Sequence, residues 1–284
     1  MTYRELERKA ISHLEAAGIE DAKVDARLLL LYVSEKSAAT LLMDQAQEVS
    51  DEIEKAYAMQ IQKRCQRIPL QQIVGETEFM GLPFFVSEDV LCPRQDTEIL
   101  VEEVLRCLKD GDEILDLCAG SGCIGISLMK LGEWERRHLT LDGADLSEKA
   151  LAIAEKNALR NGLKEECFRF YHGDLFGAIE ENRRYDVIVS NPPYIPSEDI
   201  KELMPEVKDH EPLMALDGKE DGLFFYRRIT QQAASHLKEG GWLCYEIGYD
   251  QGESVAELMM QSDYKDVRVI QDLSGNDRVV MGHL

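Results

Sequence analysis

Three carboxylates, three glycines and one Asn-Pro-Pro-Tyr run are the residues whose types and spacing can do chemistry in this chain. The apolar run Ile114-Leu115-Asp116-Leu117 passes into Cys118-Ala119-Gly120-Ser121-Gly122-Cys123-Ile124-Gly125. Gly120, Gly122 and Gly125 satisfy the G-x-G-x-x-G spacing that lets backbone approach a nucleotide between a strand and a helix. That spacing alone is unspecific, so its flanks decide. Asp116, four positions before Gly120, would oppose a pyrophosphate at the helix N-terminus, which argues against a nicotinamide-dependent reductase. It suits a ligand with an ammonium and a sulfonium, such as S-adenosylmethionine. Cofactor contacts are therefore expected from Asp116, Cys118, Ala119, Gly120, Ser121 and Gly122. Asp145, 20 residues beyond Gly125, can accept both ribose hydroxyls. Asp142 competes for that role, but it falls inside the expected strand and Asp145 at its carboxyl end. Asp174 can accept from the adenine amino group and the Leu175 amide can donate to the ring. The plain alternative for Asp174 is a helix N-cap.

Asn191-Pro192-Pro193-Tyr194 follows the apolar run Val187-Ile188-Val189. Two consecutive prolines remove two backbone donors and fix φ, which makes a rigid loop. Read alone, Asn-Pro is an ordinary strand-ending breaker. In phase with the three cofactor signals, it marks the substrate end of the same site.

The elements that must position these residues can be read from periodicity. Strands are expected at 113–118, 139–144, 168–172, 185–190 and 241–247, with helices between them, the clearest at 147–161. Such alternation means an α/β fold: a mostly parallel, seven-stranded, Rossmann-like sheet covered on both faces. A final antiparallel pair, 266–272 and 278–282, surrounds the turn Ser274-Gly275-Asn276. Residues 1–70 read as a helical bundle. Thr2 and Glu5 form a capping box, Leu6, Ala10 and Leu14 recur at helical spacing, and Gly18 stops the first helix. Residues 71–92 read as a β-hairpin linker turning at Gly81-Leu82, which leaves 93–284 as the domain that holds the site.

Composition narrows the function classes. Of a net charge of −22, residues 1–70 carry 10 basic and 12 acidic side chains, and residues 71–284 carry 22 and 42. Such an acidic region repels a phosphate backbone, so no direct nucleic-acid partner is expected. The seven cysteines include no C-x-x-C pair, which argues against a disulfide framework or a metal site. The first residues lack the features of a secretory signal, and the run Leu28–Val33 is far too short to span a bilayer. A cytoplasmic protein without membrane contact is expected.

With these residues in view, the chain resembles a known family. Asn191–Tyr194 after a fourth strand is similar to the signature of methyltransferases that act on planar NH2 groups. The stretches 69–98, 116–125, 211–223 (EPLMALDGKEDGL), 246–252 (EIGYDQG) and 272–282 (DLSGNDRVVMG) resemble the HemK/PrmC family of peptide-chain release factor glutamine methyltransferases. The resemblance implies S-adenosylmethionine as donor and S-adenosylhomocysteine as product. It implies as substrate the glutamine of the Gly-Gly-Gln loop of class 1 release factors, and a monomeric enzyme whose helical part, 1–70, recognises the factor. It also implies roles. The Asn191 side-chain oxygen and the Pro192 carbonyl accept the two N–H bonds of the substrate amide; Pro193 and Tyr194 complete the pocket, with Tyr194 packing on the flat group. Asn191 borders the cofactor as well. An amide nitrogen is a poor nucleophile, and this grip aims its lone pair at the methyl carbon. The nitrogen becomes strongly acidic as it alkylates, so no dedicated base is implied. Two positions depart from the family pattern: Cys118 stands where Gly is common and Gln95 where a second Pro is frequent. A methyltransferase acting on nucleic-acid amines is the alternative, and it needs a basic channel and base flipping.

Overall fold

Thr2 opens the first helix with a reciprocal cap: its Oγ1 accepts from the Glu5 N–H at 3.3 Å, and Glu5 Oε2 accepts from the Thr2 N–H at 2.9 Å. The helix, α1 (Tyr3–Ala16), stops before Gly18, which takes a left-handed φ of 74°. With α2 (Ala22–Ser34), α3 (Ala38–Met43), α4 (Asp51–Cys65) and α5 (Leu70–Val74), it buries one apolar core around Leu14, Leu29, Leu30 and Tyr57. The structure, a computed structural model, describes residues 1–284 and divides into two units. The helical unit is Met1–Gly75 together with Met204–His210, and the α/β unit is Glu76–Leu203 with Glu211–Leu284. The helical part thus runs through α5 to Gly75 rather than stopping at residue 70, and it includes a segment that sequence gave no reason to place there.

Charge holds that segment. Arg64, nearly buried, donates from Nε to Asp25 Oδ2 at 2.6 Å and from Nη2 to Glu206 Oε1 at 3.0 Å. Arg67 Nη2 takes the other Glu206 oxygen at 2.7 Å. Gln72 Nε2 donates to the His210 carbonyl at 2.9 Å. Burial works to raise the Glu206 carboxyl, but its own backbone N–H and the two guanidinium groups hold it below the usual range.

The α/β unit opens with a hairpin, β1 (Glu76–Phe79) and β2 (Leu82–Phe85), whose Phe79 and Phe84 are buried. Its turn residues are Met80 and Gly81, both at positive φ, as a tight two-residue turn requires. The turn therefore lies one residue earlier than expected. After α6 (Glu98–Cys107) come β3 (Glu113–Leu117), α7 (Cys123–Leu131), the short α8 (Trp134–Arg137), β4 (Thr140–Asp145), α9 (Glu148–Arg160), β5 (Phe168–His172) and β6 (Tyr185–Ser190). Helix Phe224–Ala233, β7 (Leu237–Glu246), helix Gly252–Gln261, β8 (Lys265–Gln271) and β9 (Asp277–His283) complete it.

The seven-stranded sheet has the order β5-β4-β3-β6-β7-β9-β8. The first five of these strands are parallel and β9 is antiparallel to both neighbours. Separate apolar clusters cover its two faces, one around Leu100, Val104 and Leu128, the other around Tyr226, Ile229 and Val255. The connections from β3 run outward to β4 and β5, then return to β6 on the other side of β3. Such a reversal leaves a crevice at the carboxyl ends of the strands. Asn157 on α9 braces one wall: its amide bonds both polar groups of Phe85, and its Nδ2 also donates to the Ser121 carbonyl at 2.9 Å. No helix is long and apolar enough to cross a membrane.

Candidate active site

The crevice is partly open to solvent and is walled by Cys118, Gly120, Asp145, Asp174, Leu175 and Asn191. Asp145 reaches it from the end of β4. Its Oδ2 accepts from the Gly120 N–H at 2.9 Å and its Oδ1 from the Ser147 N–H at 2.8 Å, so each oxygen keeps a further lone pair. Burial raises its carboxyl above the ordinary range, against the pull of the Ser147 and Gly120 amides. Asp142 is elsewhere. Three residues back on the strand, it projects from the opposite face, where the Tyr185 hydroxyl (2.8 Å) and Arg183 (3.3 Å) occupy its Oδ2.

Cys118, Gly120 and Gly122 all adopt left-handed φ, at 60°, 55° and 76°, so the chain coils tightly between β3 and α7. Cys118 and Gly120 line the crevice. Ala119, Ser121 and Gly122 lie behind that wall. The Ala119 N–H bonds the Ala144 carbonyl, the Ser121 carbonyl takes Asn157, and a Cβ on Gly122 would come within 2.8 Å of Ile126. Gly125 is required by packing, since its Cβ would stand 2.7 Å from Leu141 and 3.0 Å from Asp116 Oδ2. Asp116 sits beneath the loop, only 1% exposed and outside the crevice wall. Its Oδ2 accepts from the Gly125 N–H at 2.9 Å, and its Oδ1 has no partner. Burial pushes this carboxyl up to about 7.

Asp174 and Leu175 border the crevice after β5. Asp174 makes no side-chain cap; Arg228 instead grips it with two bonds, at 3.1 and 2.8 Å. Asn191 and Pro193 line the crevice from the end of β6, while Pro192 is buried and Tyr194 half-buried outside its wall. Gln251 pins this loop. Its Nε2 donates to the Tyr194 carbonyl at 3.0 Å and its Oε1 accepts from the Gly248 N–H at 3.0 Å. Gly218 and Gly222 press so closely that a Cβ on either would fall within 2.7 Å of Tyr194 backbone. Burial raises the Tyr194 phenol well above its ordinary range, so it stays neutral.

Sequence reasoning missed several parts of the wall. Asp89, Val90 and Leu91 come from an irregular stretch, and Met214 and Phe225 from beyond the Asn-Pro-Pro-Tyr loop. None has a spacing signal; Asp89, Val90 and Leu91 lie within the matched stretch 69–98 and Met214 within 211–223, while Phe225 lies outside both. Glu246, at the end of β7, is the other omission, although it begins the matched run 246–252.

Comparison with known proteins adds to this geometry. Residues 5–75 match the PrmC N-terminal domain and residues 93–206 the methyltransferase small domain. Proteins named release factor glutamine methyltransferase from Geobacter sulfurreducens and Koribacter versatilis are each 39% identical to it. The alignments cover 96% and 99% of this chain and 93% and 98% of those proteins. This chain belongs to the release factor glutamine methyltransferase family. A solved methyltransferase from Pyrococcus furiosus, 18% identical, superposes with a TM-score of 0.52 over 78% of this chain and 98% of its own, which establishes the shared fold only. In this member of the release factor glutamine methyltransferase family, Cys118 holds a left-handed φ that favours glycine. A side chain in that conformation costs roughly 1–2 kcal/mol, small beside the packing of two fully buried core faces.

Proposed function

We propose that this chain transfers a methyl group from S-adenosylmethionine to the side-chain amide nitrogen of the glutamine in the Gly-Gly-Gln loop of class 1 release factors. The observation that carries the reading is the meeting, in one crevice, of Asn191 from the end of β6 with Gly120 and Asp145. The residues present fit the cofactor. Asp145 keeps lone pairs for two ribose hydroxyls, and Asp174 and Leu175 border the crevice for the adenine. Asp116 has a buried oxygen without a partner, on the strand that leads into the loop. When bound, S-adenosylmethionine supplies an electrophilic methyl carbon on a sulfonium.

The chain's own residues do the rest. The Asn191 Oδ1 and the Pro192 carbonyl accept the two amide N–H bonds, which draws the nitrogen out of conjugation and fixes its lone pair. Pro192 and Pro193 keep that pair of acceptors rigid, and Gln251 holds the loop from behind. Tyr194, neutral, gives the substrate amide a flat apolar neighbour. We assign the helical unit to recognition of another part of the factor, and read the enzyme as a cytoplasmic monomer with no direct nucleic-acid contact. The 42 acidic against 22 basic residues of 71–284 support that last point.

The test is transfer of a labelled methyl group to a purified release factor, beside the same factor with its loop Gln changed to Ala. Label on the first and none on the second is the expected result. Label on DNA or RNA instead would replace this reading with the nucleic-acid amine alternative.

A further inference from the structure

Glu246 is 2% exposed, ends β7 and belongs to no role described so far. On the parallel ladder Ser190 pairs with Tyr245, so the next residues, Asn191 and Glu246, lie side by side at the strand ends. On its other side Glu246 pairs with Val279 of β9, next to Arg278. The Thr97 hydroxyl and the Asn191 amide lie near enough to its carboxyl to favour the charged form, and its buried Oε2 has no hydrogen-bond partner. Arg278 stands near but is engaged elsewhere, its Nη2 at 3.2 Å from both Asp96 and Asp272.

A side-chain amide has two ends of almost equal size, one donating and one accepting. The substrate grip works only if the accepting end of Asn191 faces the crevice, and nothing steric selects that end. A carboxylate can only accept, so it selects by charge. We propose that Glu246 is a positioning residue which, as a carboxylate, receives the Asn191 NH2 group and so turns the Asn191 oxygen towards the substrate. This rests on the methyl-transfer reading above. Protonated, Glu246 can donate to the Asn191 oxygen instead, and the NH2 end then faces an incoming NH2 group that needs an acceptor.

The environment makes this sensitive to pH. Burial pushes the Glu246 carboxyl up to about 7, opposed by Thr97, Arg278 and Asn191 and reinforced by Asp96. The other titratable groups that face it are Tyr194 on the loop, Tyr226 on helix Phe224–Ala233 and Cys123 on α7. Burial raises all three, so they are neutral near pH 7. Glu246 is charged above its pKa, so kcat falls as pH drops through about 7.

Two measurements on the full chain test this. In 15N-labelled protein, the Asn191 side-chain NH2 signals should titrate near pH 7, and this titration should vanish in Glu246→Gln. With release factor as substrate, Glu246→Gln should lower kcat by up to about 10²-fold, at or below the roughly 10²–10³ of a transition-state hydrogen bond removed outright. KM and S-adenosylhomocysteine affinity should stay nearly unchanged. The acid limb of the kcat profile should disappear, and the variant should add nothing to the loss in Asn191→Ala. Glu246→Asp, which keeps the charge, should restore the limb and part of kcat; it also serves if Glu246→Gln does not fold. Wild-type kcat in Glu246→Gln, a loss additive with Asn191→Ala, or Asn191 signals that ignore pH would each overturn the proposal. Absence of transfer to the release factor with the Asn191 titration intact would instead overturn the functional reading and leave the positioning role standing.

Discussion

Glu206 in the helical unit and Glu246 in the α/β unit are both buried glutamates, yet they are treated in opposite ways. Glu206 has one arginine on each oxygen and a carboxyl held below its usual range. Glu246 has an oxygen without a partner and a carboxyl pushed up to about 7. A satisfied buried charge fixes one arrangement of the chain. An unsatisfied one keeps the capacity to respond to what arrives, at a cost in stability. Asp116 Oδ1 belongs with Glu246 in this respect, and both carboxylates sit beside the loops assigned to ligand and substrate.

The comparison is broken most forcefully at Arg64. Arg64→Met strips one arginine from Glu206 and leaves Asp25 buried beside it, and losing one member of such a group costs roughly 3–5 kcal/mol. Urea unfolding should show this loss; a change under 1 kcal/mol would mean the cluster is not what holds the 204–210 segment. The pH dependence follows in sign. The folded pKa of Glu206 is depressed, so its contribution is fully present above the ordinary value of 4.5 and is lost as pH falls through the folded one.

On the functional side, Asn191→Ala should reduce kcat by about 10²–10³-fold with S-adenosylhomocysteine binding largely kept, read by single-turnover transfer and calorimetry. Full activity would remove Asn191 from the mechanism. Asp116→Asn comes next. Its carboxyl is raised from 3.8 to about 7, so the unfolded chain ionises first and the wild type loses stability as pH rises between those values. The variant should lack that decline in thermal unfolding, while binding S-adenosylmethionine about tenfold more weakly, as the loss of a hydrogen bond to a charged group implies. An unchanged affinity would make Asp116 purely structural. The smallest effect is expected from Cys118→Gly. Relief of the left-handed φ, roughly 1–2 kcal/mol, is partly offset by about 0.4–1 kcal/mol of extra freedom in the unfolded chain. A net gain between about 0 and about 1.6 kcal/mol with activity retained is the outcome; a loss would show that the thiol packs usefully against the crevice.

Much of this site was readable in advance because its signals are local. A glycine loop, an acid at a strand end and a double proline each act within a few residues, and the sheet brings their ends together by topology. The succession of strands along the chain came from alternation, but their edges slipped. The strand expected at 241–247 begins instead at Leu237 and takes in Glu239-Gly240 through a register irregularity opposite Tyr185–Val187. Longer-range pairings left no trace in the sequence. Arg228 with Asp174 and Arg64 with Glu206 are separated by 54 and 142 residues, and a single Arg or Glu among many charged side chains carries no pattern. Glu246 lay within a matched stretch, but its burial and its place beside Asn191 depend on strand register.

The segment Met204–His210 bears on how the chain is made. The helical unit is interrupted in sequence by residues 76–203, so a fragment ending at Gly75 would lack one of its pieces. On the ribosome, Glu206 is added 131 residues after Gly75. At typical elongation speeds the wait is on the order of ten seconds. Throughout it the nascent bundle holds two arginines without the acid that joins them, and its last piece docks only after most of the α/β strands have been synthesised.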